Sequence, residues 1–480
     1  MTVVDVHCHT FNADDIPVKG FLERVELHDS RLGTALASVL DDLIQGGAPD
    51  YATDLARVDA ILGPSSALEA APAFEPQSQE QFEAEVDLAF QDLQARSPAT
   101  VERIGTLVAE TEADESGAAG GDEGVRDTIA AARRGIRWAK MFARSRLDQA
   151  AALVRTFDDQ VDLFTPLLVD LGTGLGDQAK TSNREQMVLF EKISRLSMLG
   201  KLPGQGKAHF HFFIGFDALR ELRARQVGDL ETPLDLVKTA VGTYGFVGVK
   251  VYPPMGWRPS GNEAWGPIDD NEAAMLDKIV IDLATWCADE DVPITAHGNR
   301  SNYADPHFEQ AEYGSPAQWR KVLASCPGLH LNLGHFGGAS KQWTTSGWPW
   351  QIAQAMHDFP GLYADVGNHR IDDEDLVDAY FAMLLAMRDD ASTAAVTDRL
   401  MYGTDWFMEA IHPEPERFLE SYRDAYDEHF GGPAATARFM GKNALHFLGF
   451  DDANNQNAVR LRARYESFAP GRAPAWLAGP

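Results

Sequence analysis

Residues 4–10 read VDVHCHT. A short apolar run carries two histidines one residue apart. Alternate residues of a strand share a face, so His7 and His9 point the same way and can chelate one ion. Taken alone, the stretch fits a metal clamp and equally fits two polar residues at the end of an ordinary strand. The rest of the chain bears on the choice.

From Val161 onward, apolar β-rich runs recur: VDLFTPLLVDLG (161–172), HFHFFIGFD (209–217), FVGVKVYPP (246–254), PITAHGN (293–299), LHLNLGHFGG (329–338), LYADVGNH (362–369) and LMYGTDWF (400–407). Helical text separates them, as in EQMVLFEKISRLSML (185–199), ETPLDLVKTAVGTY (231–244), NEAAMLDKIVIDLATWCADE (271–290), SPAQWRKVLASC (315–326) and PWQIAQAMHDF (349–359). Ser-Pro and Thr-Pro pairs supply an N-cap oxygen and a proline for the first helical position. With residues 2–11 the count is eight strands alternating with helices. Near-continuous apolar strands belong to buried parallel sheets, and eight such units predict an α/β fold of the (β/α)8 TIM-barrel type. A doubly wound sheet is the alternative, but no GxGxxG follows a strand to support a nucleotide-binding version.

The domain reading follows. Residues 1–11 and 160–450 are assigned to the barrel. Residues 12–159, acidic and Ala-rich, are assigned to a mainly helical insertion after the first strand, a lid or an oligomer interface. Residues 451–480 form a C-terminal tail. Within the insertion, 135–157 (GIRWAKMFARSRLDQAAALVRTF) is the best helix, and 110–124 (ETEADESGAAGGDEG) reads as an exposed loop.

The 480-residue chain has 44% hydrophobic residues, ample for a core, and a formal charge of −30 from 42 Lys+Arg and 72 Asp+Glu. Such a surface repels phosphate backbones and anionic lipid, which argues against nucleic acid and membrane as partners. Cys8, Cys287 and Cys326 form neither a disulfide framework nor a CxxC metal site. With no signal-peptide pattern at the N-terminus and no apolar run approaching the ~20 residues of a membrane helix, the expected location is cytoplasmic.

The polar residues that interrupt the strands are informative. His7, His9, Lys250, His297, His335 and Asp405 all fall near C-terminal strand ends, where a parallel barrel has its active-site mouth. Each alone has an ordinary explanation: a hydrogen-bonded histidine, a helix-capping aspartate, a lysine snorkelling to solvent. Together they are costly to bury unless opposite charge is supplied, and a divalent cation supplies it.

In this order, VDVHCH, GVKVYPP, PITAHG, LNLGHFGG, YGTDWF and GKNALHFLG resemble the amidohydrolase superfamily of metal-dependent TIM-barrel hydrolases, in its amidohydrolase-related branch. The resemblance spans residues 2–11 and about 160–450. It implies that His7, His9, His297 and Asp405 hold a divalent metal, with zinc expected first and manganese, iron or nickel as alternatives. Such an ion lowers the pKa of bound water and polarises a carbonyl. Asp405 would then take the water's proton and return it to the leaving group.

Lys250 and His335 pose a fork. In binuclear relatives a CO2-carboxylated lysine bridges two metals, and His335 would bind the second. In one-metal relatives the lysine is usually missing, and the strand-6 histidine orients substrate. The binuclear arrangement is slightly favoured here, with a Lys250 ammonium binding a substrate carboxylate as the alternative. Arg258, Arg300, His369, Tyr252 and Trp406 are candidate contacts for a small-molecule substrate, against surface solvation or plain packing. His209 and His211 are expected to pack at the barrel bottom, and Cys8 to be a small buried hydrophobe. The leading function is a hydrolase of an amide, lactam, lactone or ester. The runner-up is a metal-dependent non-oxidative decarboxylase of an aromatic or unsaturated acid. A barrel that only binds, without turnover, is third. A homo-oligomer is a further expectation.

Overall fold

The computed structural model describes residues 1–22, 43–44, 47–63, 77–116, 125–204, 206–264, 269–300, 313–369, 374–412 and 414–477. Parallel strands run in chain order: β1 (Val4–Cys8), β2 (Leu163–Pro166), β3 in two halves (His209–Phe210 and Phe213–Phe216), β4 (Gly248–Val251), β5 (Ile294–His297), β6 (Leu331–Gly334), β7 (Leu362–Asp365) and β8 (Leu400–Met401). Each pairs with the next. Two parallel bridges complete the circuit. Leu167 meets Phe213 between β2 and the second half of β3, and Cys8 meets Trp406 beyond β8. The closing seam is hydrogen-bonded as well: Val6 N donates to Tyr402 O at 3.3 Å, Thr404 N to His7 O at 3.0 Å, and His9 N to Trp406 O. The result is an eight-stranded (β/α)8 barrel.

Strand alternation sorts the side chains. On β1, Val4 and Val6 pack outward in a cluster with Met401, Ala444 and Phe447, while Asp5, His7 and His9 take the opposite, inner face. The inner surface is unusually polar. Thr165 Oγ1 bonds Asp5 O at 3.3 Å, and Asn332 Nδ2 reaches Asp365 Oδ2 at 2.6 Å. Buried polar groups persist only when paired, and these pair with one another across strands.

The cap signals work as expected. Thr232 and Ser315 accept backbone N–H bonds at the starts of helices Pro233–Gly242 and Pro316–Ser325, each with proline at the first turn. The helix expected over 135–157 is instead two helices, Val125–Phe142 and Arg146–Thr156. Ser145 ends the continuity, because its hydroxyl caps the second helix by accepting from Asp148 N. The expected loop at 110–124 is also revised. Helix Pro98–Ser116 runs through its first part, and 117–124 lies outside the described residues.

Between β1 and β2 the described chain is helical: Tyr51–Leu62, Gln79–Arg96, Pro98–Ser116, Val125–Phe142 and Arg146–Thr156. Its anchor is Arg146, which is fully buried. Arg146 Nη2 lies 2.6 Å from Asp15 Oδ1 and Nη1 lies 3.1 Å from Asp54 Oδ2. Under the barrel, helix Gln456–Phe468 brings Tyr465 Oη to 2.7 Å from His209 Nδ1 and 3.0 Å from His211 Nε2. Both histidines therefore pack at the bottom. Cys8 is buried in the hydrophobic core. Among the described residues no helix is long and apolar enough to cross a membrane.

Candidate metal centre

His7, His9 and Asp405 come together at the upper end of the barrel, with one ligand-type atom from each lying within 4.8 Å of the others. Asp405 Oδ1 is 3.0 Å from His9 Nε2 and 3.5 Å from His7 Nε2. The other nitrogen of each imidazole is held from behind. His7 Nδ1 bonds Asp365 at 2.9 Å, and His9 Nδ1 donates to Leu167 O at 2.9 Å. His335 follows the same rule, with Nδ1 donating to Gly367 O at 2.9 Å. In all three rings the proton sits on Nδ1 and the Nε2 lone pair is left for an inward ligand.

His297, at the end of β5, lies beside this group but outside the set of three converging ligand atoms. Its ring lies 4.7 Å from His335 and 4.5 Å from Tyr252, centroid to centroid. It is buried, and neither ring nitrogen has a hydrogen-bond partner among the described residues. Orphaned polar atoms at such depth call for an unrepresented partner. An electron-pair acceptor fits, and the imidazole-carboxylate donor set suits a first-row divalent ion.

Local backbone geometry aims these side chains. Asp405 and His335 both adopt left-handed conformations, with φ of 61° and 65°. A non-glycine residue pays about 1–3 kcal/mol for this, and such strain concentrates at functional sites. The surroundings hold it in place. His369 Nε2 donates to His335 O at 2.6 Å, and Asp405 N donates to His7 O at 2.6 Å. Three glycines make room for the His7 ring. A Cβ at Gly334 would lie 2.9 Å from His7 Cε1, one at Gly367 3.0 Å from Nδ1, and one at Gly403 2.8 Å from Cβ.

Electrostatics are strongly coupled. Burial favours a neutral Asp405, but the surrounding imidazoles of His7, His9 and His335 overcome it and hold the carboxyl well below the usual range. Asp405 is thus a carboxylate, able to bind a cation or accept a proton. Burial pushes His7 down to about 4 and His297 well below the ordinary histidine value. Burial also lowers Lys250 to about 8, against the pull of Asp365 and Asp405. Lys250 is 2% exposed on β4 and makes no hydrogen bond among the described residues.

The remaining sequence candidates separate. Arg300 and His369 line a cavity of about 770 Å3 adjoining His335. Tyr252 stacks near His297. Arg258 is turned into its own loop, its Nε 3.5 Å from Ser260 O. Trp406 is buried beside Phe157, ring centroids 6.4 Å apart. Two inner carboxylates were passed over by sequence reasoning. Asp365 grips His7 and also accepts from Asn332, His335 N and Gly367 N. Asp5 accepts from Thr404 Oγ1 at 2.7 Å and Thr404 N at 3.1 Å. Asp5 could have been found, because it shares the inner face with His7 and His9. Asp365 occupies the same strand-end position as His297 in an otherwise apolar run.

A parallel TIM barrel thus gathers histidines and an aspartate at its C-terminal end, a donor set able to hold a divalent ion. Residues 224–450 match the family model described as amidohydrolase. Among solved structures, the chain is similar to an amidohydrolase from Burkholderia multivorans with bound zinc, at 14% identity and TM-score 0.38, covering 62% of this chain and 87% of that one. It is also similar to an uncharacterised TIM-barrel protein from Bordetella bronchiseptica, at 13% identity and TM-score 0.34, covering 94% and 99%. No curated protein matches the chain.

Proposed function

We propose that the protein is a metal-dependent hydrolase that activates water to cleave an amide, lactam, lactone or ester bond in a small molecule. The observation that carries this reading is the convergence of His7, His9 and Asp405 within 4.8 Å, beside a buried His297 with two unpartnered nitrogens. His7, His9, His297 and Asp405 would hold the ion, zinc first among those the donor set suits. When bound, the ion supplies Lewis acidity toward water and the substrate carbonyl.

The protein's own groups do the rest. Asp405, held as a carboxylate, accepts the proton of the attacking water and delivers it to the leaving nitrogen or oxygen. His335, with Nδ1 committed to Gly367 O, offers Nε2 to orient the substrate carbonyl. Arg300 and His369, on the adjoining cavity, are placed to contact the remainder of the substrate. Lys250 adjoins the group as a buried amine whose lowered pKa favours the neutral form that reacts with CO2. Carboxylated, it would bridge to a second ion shared with His335.

Metal-loaded protein is to be assayed against esters, lactones, lactams and carboxylated aromatics in 18O-labelled water, with metal counted per chain with and without bicarbonate. Turnover with label in the product acid supports hydrolysis. Release of CO2 without water incorporation supports decarboxylation instead. No turnover in any metal form overturns both. One metal per chain in fully active protein, unaffected by bicarbonate, removes the lysine bridge. His7→Ala and Asp405→Asn are expected to abolish turnover with the circular dichroism spectrum unchanged, and near-normal activity in either refutes the site.

A further inference from the structure

A second cavity, about 490 Å3, lies away from the metal centre, where the helices between β1 and β2 meet the segment after Asp405. Arg133, Arg134, Arg137 and Arg155 line it. This gathering of positive charge runs against a chain whose formal charge is −30. The lining carboxylates are largely committed. Glu83 is shared between Arg133 and Arg137 at 2.8 Å each, and Glu414 pairs with Arg417 at 2.9 Å. Arg155 Nη2 bonds Gln77 O at 3.1 Å, while its Nε is buried with no partner.

Behind this wall stands Arg144, only 5% exposed. Its guanidinium lies 4.4 Å from the centre of the Phe82 ring, the ring that Arg137 also covers at 5.9 Å. Among the described residues Arg144 Nε and Nη2 have no hydrogen-bond partner, and Nη1 has only Met141 Sδ at 3.8 Å. The nearby Asp148 compensates it only in part, through space, because its oxygens are hydrogen-bonded to Gln77 N at 2.9 Å and Ser145 Oγ at 2.6 Å, and burial still lowers the Arg144 pKa. A buried guanidinium with two idle N–H-bearing nitrogens, among like charges, is expensive without a counter-anion.

We infer that this arginine-lined cavity is a binding site for a small multivalent oxyanion, phosphate- or carboxylate-bearing, held by Arg155 and Arg137, with Arg144 adding its charge from across the Phe82 ring. Charge-assisted, often bidentate N–H···O contacts are what guanidinium groups offer such ligands. The site backs onto the loop that carries Asp405. Arg137 Nη1 bonds Ala410 O at 3.3 Å and Arg134 Nε bonds Ile411 O at 3.1 Å, in a turn that begins with Met408 N donating to Asp405 O at 2.8 Å. An anion there competes for arginines that also brace the Asp405 loop.

The test is calorimetric titration of the whole protein with sodium pyrophosphate and, separately, citrate, at constant ionic strength, with melting followed in parallel. Saturable binding of one anion per chain is expected, with a raised melting temperature. Preference for pyrophosphate or for citrate identifies the phosphate or the carboxylate source. Arg155→Gln and Arg144→Met should each weaken binding about tenfold or more. In anion-free buffer Arg144→Met should melt no lower than wild type, because it removes an unpaired buried charge while keeping an apolar stem over Phe82. Absence of saturable binding for both anions, unchanged affinity in both variants, or a marked loss of stability of Arg144→Met in anion-free buffer would each overturn the assignment.

Discussion

Asp365 at the end of β7 accepts a hydrogen bond from His7 Nδ1 on β1, at 2.9 Å to one oxygen and 3.0 Å to the other. Its own burial raises the cost of its charge, but His7, His335 and Asn332 overcome this and keep the carboxyl far below the ordinary range. A buried carboxylate in this position fixes the tautomer and the orientation of the imidazole and raises its basicity as a ligand.

Asp365→Asn keeps the shape but removes the charge, and can leave His7 in the wrong tautomer. Zinc affinity, measured by competition with a chromogenic chelator, should fall roughly 10- to 100-fold. An unchanged affinity would show that His7 needs no such support.

Gly334 lies where any side chain would press on His7. A Cβ there comes within 2.9 Å of Cε1, closer than real contacts allow. Gly334→Ala should therefore displace the ring and weaken metal binding by about tenfold, the scale of losing an outer-sphere support. Folding should change little. Retention of full affinity would mean that the ring can yield at no cost.

Acid should destabilise the protein through the bottom of the barrel. Burial lowers His209 to about 4 and His211 well below its ordinary 6.5. The folded state holds both neutral, whereas the unfolded chain protonates them near its ordinary value. Their contribution is thus fully present above about pH 6.5 and is lost as pH falls toward and through about 4. Urea unfolding midpoints should decline over that window in wild type and decline less steeply in His211→Gln. Parallel slopes would remove His211 from the account.

Arg146 is the test of how the segment between β1 and β2 is held together. Arg146→Met leaves Asp15 and Asp54 buried without their cation, and breaking a buried pair in this way costs about 3–5 kcal/mol. Urea denaturation should report a loss of that size. A loss under about 1 kcal/mol would indicate that the carboxylates find water or simply protonate.

Much of this site is legible in the chain before folding. His7, His9, His297 and Asp405 are polar interruptions at the ends of apolar runs, and a parallel barrel gathers all such ends at one mouth. Asp365 shares that position but was overshadowed by His369 four residues on. Nothing local tells a carboxylate that props a ligand from one that binds the ion. The break at Ser145 was missed because helical periodicity continues on both sides of it, and one capping hydroxyl outweighs the pattern.

Local residue order alone determined the eight strand-helix units, their parallel direction and the polar side chains at the strand ends, since periodicity and capping act over a few residues. Tertiary structure decided what depends on distance. Closing the β1–β8 seam brings Asp405 to 3.0 Å from His9 across almost 400 positions of sequence. The same closure puts Asp365 behind His7 and empties the space around the ring with three glycines, while helix packing leaves two Arg144 nitrogens buried without a hydrogen-bond partner among the described residues. Each of these is a relation between strands or helices remote in the chain, and only packing in three dimensions creates it.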